Sequence, residues 1–284
     1  WLRPACYGNK GDTDVQTTIV AEVVNCRNNV GLIDVSTLGG IDVRGPDAAE
    51  FVERIYTWTY INQKVGRARY LLMVDETGII VDDGVSCRFH DKHFYLTTTT
   101  TGINSVYQRM LFWNSQWQLD VDITNVTTAY AAINIAGPNA RKVIERICED
   151  VDLSAKAFPY MAIREGHVAD IPARILRVGF VGELGFELHV PAMQGEALWD
   201  ALLAAGTAFD IAAFGVEAQR MMRLEKGHLI VGQDTDGSVT PEDLGMQWAI
   251  GYDKPYSWIG KRALSRPDTR RTDRKQFVGL KPKD

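Results

Sequence analysis

The sequence lacks the features that mark several large classes of protein. Its 284 residues include only four cysteines and five histidines, and the formal net charge is -5 at neutral pH. A negative balance disfavours nucleic acid or an anionic membrane surface as the main partner. No run of apolar residues is long enough to span a bilayer, and no apolar signal core occurs. The composition therefore predicts a soluble protein with neither a nucleic-acid nor a membrane partner.

The cysteines are too far apart for two common uses. Cys6, Cys26, Cys87 and Cys148 form none of the close pairs that zinc ribbons or redox dithiols need. We expect free, mostly buried thiols in a reducing compartment, and we therefore predict a cytoplasmic location.

The common catalytic and metal motifs are also missing. No Walker loop, dinucleotide-binding fingerprint or Gly-x-Ser-x-Gly elbow occurs in the chain. His90 and His93 flank a turn without a third metal ligand at a useful distance. Asp234 and Asp236 suggest calcium, but the further ligands of an EF-hand loop are absent. No metal site is predicted.

The two ends of the chain indicate a piece of a longer protein. Residue 1 is Trp rather than Met, and Phe277–Leu280 reads as the start of a new strand. We expect residues 256–284 to lead into a further domain.

An internal repeat is the clearest sign of organisation. Ile41–Ile55 and Ile133–Ile147 align without a gap, and each alternates apolar and polar residues, turns at Gly-Pro and continues with helical spacing. Pro46 and Pro138 suit the first turn of a helix. Two such units a domain's length apart predict two related α+β domains.

Three further elements are predicted from local patterns. Phe94–Thr98 reads as a strand that leads into a helix near Asn104–Trp113. Gln194–Ala205 carries an apolar stripe at helical spacing, with Gly206 as its end. We interpret this stripe as core packing.

Two predicted hairpins bring an aromatic residue opposite a carboxylate. Pairing Val74 with Ile79 sets Tyr70 opposite Asp83, and pairing Val181 with Phe186 sets Phe180 opposite Glu187. Cross-strand neighbours lie about 4.5–5.5 Å apart at Cβ, so each hairpin could offer a ring beside an acceptor group. The alternative is that these acids only cap turns or face water, and a shifted register would replace Asp83 by Asp82.

These hairpins also carry a resemblance to a known family. Gly66–Asp83 and Arg177–Glu187 resemble, in residues and spacing, the two folate-site signatures of the aminomethyltransferase (glycine-cleavage T-protein) family. Within that family, three segments are more similar to sarcosine oxidase large subunits than to free-standing T-proteins: Val30–Gly39, Glu225–Pro241 and Ile259–Asp268. The resemblance covers nearly the whole chain.

The resemblance implies a fold and a division into domains. The fold would be a clover-leaf α+β architecture of antiparallel sheets with flanking helices, with a truncated third, barrel-like domain. Domain 1 would be the discontinuous folate-binding region 1–41 plus 142–255. Domain 2 would be 42–141, which carries the Asp83 hairpin, and 256–284 would connect to the missing barrel.

The resemblance also implies a role for each site residue. Asp83 would be the catalytic carboxylate at N10 of tetrahydrofolate, and Glu187 would accept the donors of the pterin edge. Tyr70 and Phe180 would flank the ligand, although the family often has Tyr where Phe180 stands, so a phenolic hydrogen bond is lost there. Arg223 would contact the acidic tail of the ligand, or would instead form an internal ion pair with Glu225.

The function implied is one-carbon transfer to tetrahydrofolate. An imine from oxidation of an N-methyl amino acid would leave as 5,10-methylenetetrahydrofolate, and any flavin would lie on partner subunits or in missing regions. Sarcosine and N-methylglutamate both remain open as the methylated substrate. Three alternatives remain: a stand-alone aminomethyltransferase served by a lipoyl carrier, another folate-dependent demethylase, and a folate-binding subunit without catalysis.

Overall fold

The computed structural model describes residues 2–8 and 14–281. The helices are α1 (Val15–Asn28), α2 (Ala48–Ile55), α3 (Ile103–Trp117), α4 (Ala140–Ile144), α5 (Gly195–Gly206), α6 (Val216–Lys226) and α7 (Lys261–Leu264). The strands are β1 (Val30–Asp34), β2 (Gly39–Arg44), β3 (Arg67–Val74), β4 (Ile80–His90), β5 (His93–Thr98), β6 (Asp122–Asn125), β7 (Tyr130–Ala136), β8 (Ile163–Val168), β9 (Ile171–Leu176), β10 (Gly185–Pro191) and β11 (Ile211–Ala213). Within the described ranges, no helix combines the length and apolarity that crossing a bilayer requires.

The first compact unit comprises Trp1–Thr37 and Thr127–His228. Its six-stranded sheet has the order β11-β1-β7-β10-β9-β8, and every pair is antiparallel except β1 with β11. One face of this sheet packs against α4 and α5. Because side chains alternate along a strand, β10 sends Phe186, Leu188 and Val190 into that core and turns Glu187 and His189 to the opposite face.

The second compact unit comprises Leu38–Val126 and Leu229–Asp284. Its antiparallel sheet has the order β3-β4-β5-β2-β6. Leu71 and Met73 pack with α2 and α3 on one face, whereas Leu72 and Val74 pack with residues 231–264 on the other. The sheet is therefore covered by apolar side chains on both faces. The domain boundaries inferred above at 41/42, 141/142 and 255/256 stay a prediction.

The internal repeat appears as two strand-turn-helix units, β2 with α2 and β7 with α4. The turns contain Gly45 at φ +141° and Gly137 at φ +132°. A Cβ at these glycines would lie 2.3 Å and 2.6 Å from a backbone oxygen, so both the dihedral and the close approach require glycine. The helices begin two residues after Pro46 and Pro138, which therefore precede the first turn.

The other local predictions have mixed outcomes. β5 and α3 match the predicted strand and helix, and α5 matches the predicted amphipathic helix to within one residue at each end. The thiols of Cys26, Cys87 and Cys148 are buried, in agreement with the prediction of mostly buried thiols. The predicted strand at 277–280 is wrong, because these residues join no sheet.

A buried lysine fixes the end of α2 in the second unit. Lys254 Nζ donates to the carbonyl oxygens of Glu53, of Tyr56 at 2.6 Å and of Trp58 at 3.0 Å. The last carbonyls of a helix have no partner within the helix. A cation that binds them therefore caps the helix and interacts favourably with the negative end of the helix dipole. Lys254 therefore links its own loop to the C-terminal end of α2 and to the residues that follow this helix.

We predict that Lys254→Met lowers the free energy of unfolding by about 1–3 kcal/mol, because buried carbonyls lose their donor. Urea unfolding of the variant and the wild type checks this. Lys92→Met removes an exposed lysine of the same unit and serves as the control. Equal stability of the two variants would contradict the capping role.

Candidate functional site

The hairpin of β3 and β4 brings Tyr70 and Asp83 together in a register that differs from the predicted one. Tyr70 pairs with Val85, and Asp83 pairs with Leu72, so the predicted direct pairing is wrong. Asp75 closes the turn by bonding Ile79, and a bulge follows between Met73 and Val74. The net slip of two residues keeps Tyr70 and Asp83 on one face as diagonal neighbours, within reach of an aromatic side chain.

The phenol of Tyr70 holds the Asp83 carboxylate. Tyr70 Oη donates to Asp83 Oδ2 at 2.8 Å. Burial raises the pKa of Asp83 to about 6, although the bond from Tyr70 opposes this shift. Burial and the Asp83 charge raise the pKa of the Tyr70 phenol, which keeps its proton. Asp83 is therefore a mainly ionised carboxylate at neutral pH, close enough to its pKa to exchange a proton.

Asp82 points to the other face of the sheet and has a different environment. Its Oδ1 accepts from Thr99 Oγ1 at 2.6 Å, and both its oxygens accept from the Thr99 N–H. A Cβ at Gly102 would lie 2.6 Å from the same Oδ1. Burial raises the pKa of Asp82 to about 7, with the bonds from Thr99 opposing and Asp83 adding to the shift. Asp82 is thus enclosed at the start of α3, and Asp83 is the more accessible of the two.

We predict that Asp82→Asn changes how stability depends on pH. A folded pKa above the unfolded value of about 3.9 means that the folded state binds more protons between these values, so stability falls as pH rises from about 4 to about 7. A single titrating proton contributes up to about 1.4 kcal/mol per pH unit to the slope of unfolding free energy against pH, and the Asp82→Asn variant loses this contribution. Urea unfolding across this range tests the change. Exposed Asp91→Asn should keep the slope, and an unchanged slope in Asp82→Asn would refute the assignment.

Two tryptophan rings extend an aromatic cluster from the Tyr70 ring. The Trp248 ring lies 5.5 Å from the Tyr70 ring and 5.6 Å from the Trp58 ring, centroid to centroid. The Arg69 guanidinium lies 5.2 Å from the centre of the Trp58 ring. Trp248 is 56% exposed. Sequence reasoning missed Trp58, Trp248 and Thr99, because no periodicity or spacing links them to the hairpin.

The second predicted hairpin is wrong in its strand and in its pairing. β9 ends at Leu176, so Phe180 lies in the loop 177–184 and not opposite Glu187. Glu187 instead pairs with Leu176 on β9 and with Asn134 on β7. Within this loop the Val181 carbonyl accepts a hydrogen bond from Arg27 Nη1 at 2.6 Å. A contact over such a sequence separation is invisible in the local pattern.

Arg27 fastens the Phe180 loop to two helices. Its guanidinium also pairs with Glu183 of the loop at 2.9 Å and with Glu225 of α6 at 2.5 Å. Phe180 stacks on the ring of His228 at 5.7 Å between centroids, and His228 Nδ1 donates to the Phe180 carbonyl at 2.8 Å. These contacts fix the loop from both sides.

Arg223 lies on α6 and is buried. Its side chain is only 1% exposed, and Nη1 donates to the His228 carbonyl at 3.0 Å. The carboxylate of Glu225 contacts Arg27 at 2.5 Å. The two roles predicted for Arg223, contact with an acidic tail or an ion pair with Glu225, both stay predictions.

Glu187 lies on a polar face of the six-stranded sheet. Its side chain is 14% exposed, and its Oε2 lies 3.4 Å from His189 Nε2. Asn134, on the neighbouring strand, is buried beside it. A half-buried carboxylate on a rigid strand can accept two parallel N–H donors from a planar ligand.

The residues that drew attention as metal ligands have other partners. His93 Nε2 lies 2.9 Å from Asp42 Oδ1, and Asp236 accepts from Ser238 in a turn. Among the described residues, no group of three or more His, Cys, Asp or Glu side chains has the arrangement of a metal site.

Comparison with known proteins agrees with the α+β fold. The GCVT N-terminal domain family matches residues 1–254, which is most of the chain. The chain belongs to this family of aminomethyltransferase domains.

Two of the curated relatives that the chain matches carry different names. Sarcosine oxidase subunit alpha from Corynebacterium sp. (strain U-96) is 42% identical over 100% of this chain, which covers 29% of that protein. The aminomethyltransferase of Listeria monocytogenes serotype 4a is 32% identical over 92% of this chain and 70% of that protein. The chain thus spans less than a third of the sarcosine oxidase subunit that it matches.

A solved structure confirms the fold. The glycine cleavage system aminomethyltransferase T from Bartonella henselae superposes with a TM-score of 0.77 at 25% identity, over 87% of this chain and 65% of that one. The predicted α+β class of antiparallel sheets with flanking helices is confirmed.

Proposed function

We propose that this chain is the tetrahydrofolate-dependent one-carbon transfer module of a sarcosine oxidase-like enzyme. Its substrate would be the imine formed by oxidation of an N-methyl amino acid, and its product 5,10-methylenetetrahydrofolate. The alignment with sarcosine oxidase subunit alpha over the full chain supports this choice within the family. Any flavin is proposed to lie on partner subunits or in other parts of the enzyme.

The Asp83 carboxylate, held by the Tyr70 phenol, is the observation that carries the proposal. An anion in a half-buried site stabilises a cationic iminium and the cationic amines formed from it more strongly than it would in water. The Tyr70 bond uses one oxygen of Asp83 and thereby orients the other. Asp83 would lie at N10 of the ligand, with the Tyr70 ring flanking it.

The proposed reaction balances without an added oxidant or reductant. Tetrahydrofolate supplies two amine nitrogens, N5 and N10, to which the imine carbon forms two new bonds. The carbon–nitrogen bond to the amino acid breaks, and the two protons released from N5 and N10 pass to the leaving amine. With a pKa of about 6, Asp83 can carry one of these protons at neutral pH.

Glu187 is proposed to recognise the pterin edge. Its two oxygens would accept the N–H donors of the amino-pyrimidinone, the type of match that carboxylates make well. Phe180, fixed by His228 and the Arg27 contacts, would pack on the ligand without a hydrogen bond of its own. Arg223 is the proposed contact of the acidic tail.

We predict that Asp83→Asn in the intact enzyme lowers the rate of methylenetetrahydrofolate formation at least about a hundredfold, as expected for loss of a general acid–base group. Folate affinity should change much less. In the wild type, the rate should fall as pH is lowered through about 6, because Asp83 becomes protonated. Product formation followed from pH 5 to 8 tests both points.

The control for this experiment is exposed Asp91→Asn, which should behave as the wild type. Unchanged turnover in Asp83→Asn with intact folate binding would favour a folate-binding subunit without catalysis.

We predict that Glu187→Ala weakens tetrahydrofolate binding by at least about tenfold, because a charge-assisted hydrogen bond contributes roughly 1.5–3 kcal/mol. Titration followed by the intrinsic fluorescence of the seven tryptophans measures the affinity. Glu165→Ala removes an exposed carboxylate from β8 of the same sheet and is the matched control. Equal affinities of the two variants would remove Glu187 from the proposed site.

A stand-alone aminomethyltransferase is the second candidate, favoured by the match to the Listeria monocytogenes protein. The two candidates differ in the donor of the carbon. Product formation from an aminomethylated lipoyl carrier, and none from an imine, would select this second candidate.

A further inference from the structure

A buried histidine follows Glu187 on the same strand, and the proposed function gives it no role. His189 is 2% exposed, and its Nε2 lies 3.4 Å from Glu187 Oε2. Residues i and i+2 of a strand face the same side of a sheet, so both side chains lie on the polar face, away from the core residues Phe186 and Leu188. Because an ionised carboxylate oxygen only accepts, the His189 ring donates from Nε2.

The position of His189 is set by the sheet. Ala132 on β7 and Arg174 on β9 lie directly opposite it. The Arg174 guanidinium lies 4.6 Å from the centre of the Tyr130 ring and is itself buried. A closely packed imidazole in the middle of a sheet has little freedom to change rotamer. His189 therefore offers Glu187 a donor at a fixed place.

We infer that His189 is a positioning residue for Glu187, which it holds by Oε2 so that the plane of the carboxylate is fixed. This inference rests on the proposed role of Glu187 in ligand recognition. Two parallel N–H···O bonds to a planar ligand require the carboxylate and the ligand to share a plane. Each carboxylate oxygen has two acceptor positions, so the bond from His189 leaves one on Oε2 for the ligand. A carboxylate that can rotate loses this match.

The test compares two ligands on the intact protein. Tetrahydrofolate carries the 2-amino group at the pterin edge, and its 2-desamino analogue lacks this group. We expect His189→Leu to weaken tetrahydrofolate binding about tenfold and to change the affinity for the analogue by less than about twofold. A loss of this size corresponds to one orienting hydrogen bond to a charged group. His189→Gln, whose amide can replace Nε2, should keep the preference for tetrahydrofolate.

The controls separate positioning from general packing. His167→Leu removes a histidine that contacts Asp150 at 2.8 Å on an exposed part of the same unit, and it should change neither affinity. If His189→Leu does not fold, His189→Asn replaces it, since Asn is too short to reach Oε2. In a Glu187→Ala background, substitution of His189 should cause no further loss of affinity.

Three results would overturn the inference. The first is an unchanged preference for tetrahydrofolate over the analogue in His189→Leu. The second is an equal loss of affinity for both ligands in His189→Leu and His189→Gln. The third is a full additional loss of affinity when His189 is substituted in the Glu187→Ala background. Wild-type affinity in Glu187→Ala would defeat the proposed role of Glu187 and this inference together. Weaker tetrahydrofolate binding in Glu187→Ala, combined with unchanged binding in the His189 variants, would defeat only the inference about His189.

Discussion

A charged group taken out of water must find hydrogen-bonding partners, and this constraint shapes both units of the protein. Lys254 is surrounded by backbone carbonyls, Arg27 binds two carboxylates and two carbonyls, and Asp82 is bound by Thr99. Unpaired burial of any of these charges would cost several kcal/mol. Asp83 differs, because within the described residues its carboxylate accepts from one side chain, the Tyr70 phenol. The remaining acceptor positions of Asp83 are what suit it to a ligand.

The alternation of side chains along a strand lets the six-stranded sheet carry a core on one face and polar side chains on the other. β10 buries Phe186 and Leu188 while it presents Glu187 and His189 on the opposite side. A strand also supports its side chains more rigidly than a loop does. The carboxylate proposed to recognise the ligand is therefore anchored by the same strand that builds the core.

The two hairpins show how far local patterns reach. In the first, the shortened turn and the bulge together moved the register by two residues, and a period of two returned Tyr70 and Asp83 to the same face. Their contact was thus predicted correctly through an incorrect pairing. In the second, the pattern of Ile175–Val181 reads as a strand, but β9 ends at Leu176 and the Val181 carbonyl accepts from Arg27. The partner of that carbonyl lies more than a hundred and fifty residues away, so no window of sequence contains it.

The sequence by itself determined the α+β class and the repeated strand-turn-helix unit, because periodicity and Gly-Pro turns are local properties of the chain. Its motif spacing also predicted Asp83 and Glu187 as candidate site carboxylates. Only the tertiary structure decided the surroundings of those carboxylates. The rings near Tyr70, the fixed loop of Phe180 and the bond between His189 and Glu187 depend on which strands pair and in which register. Long-range packing sets that register, and with it the pKa and the orientation of each acid.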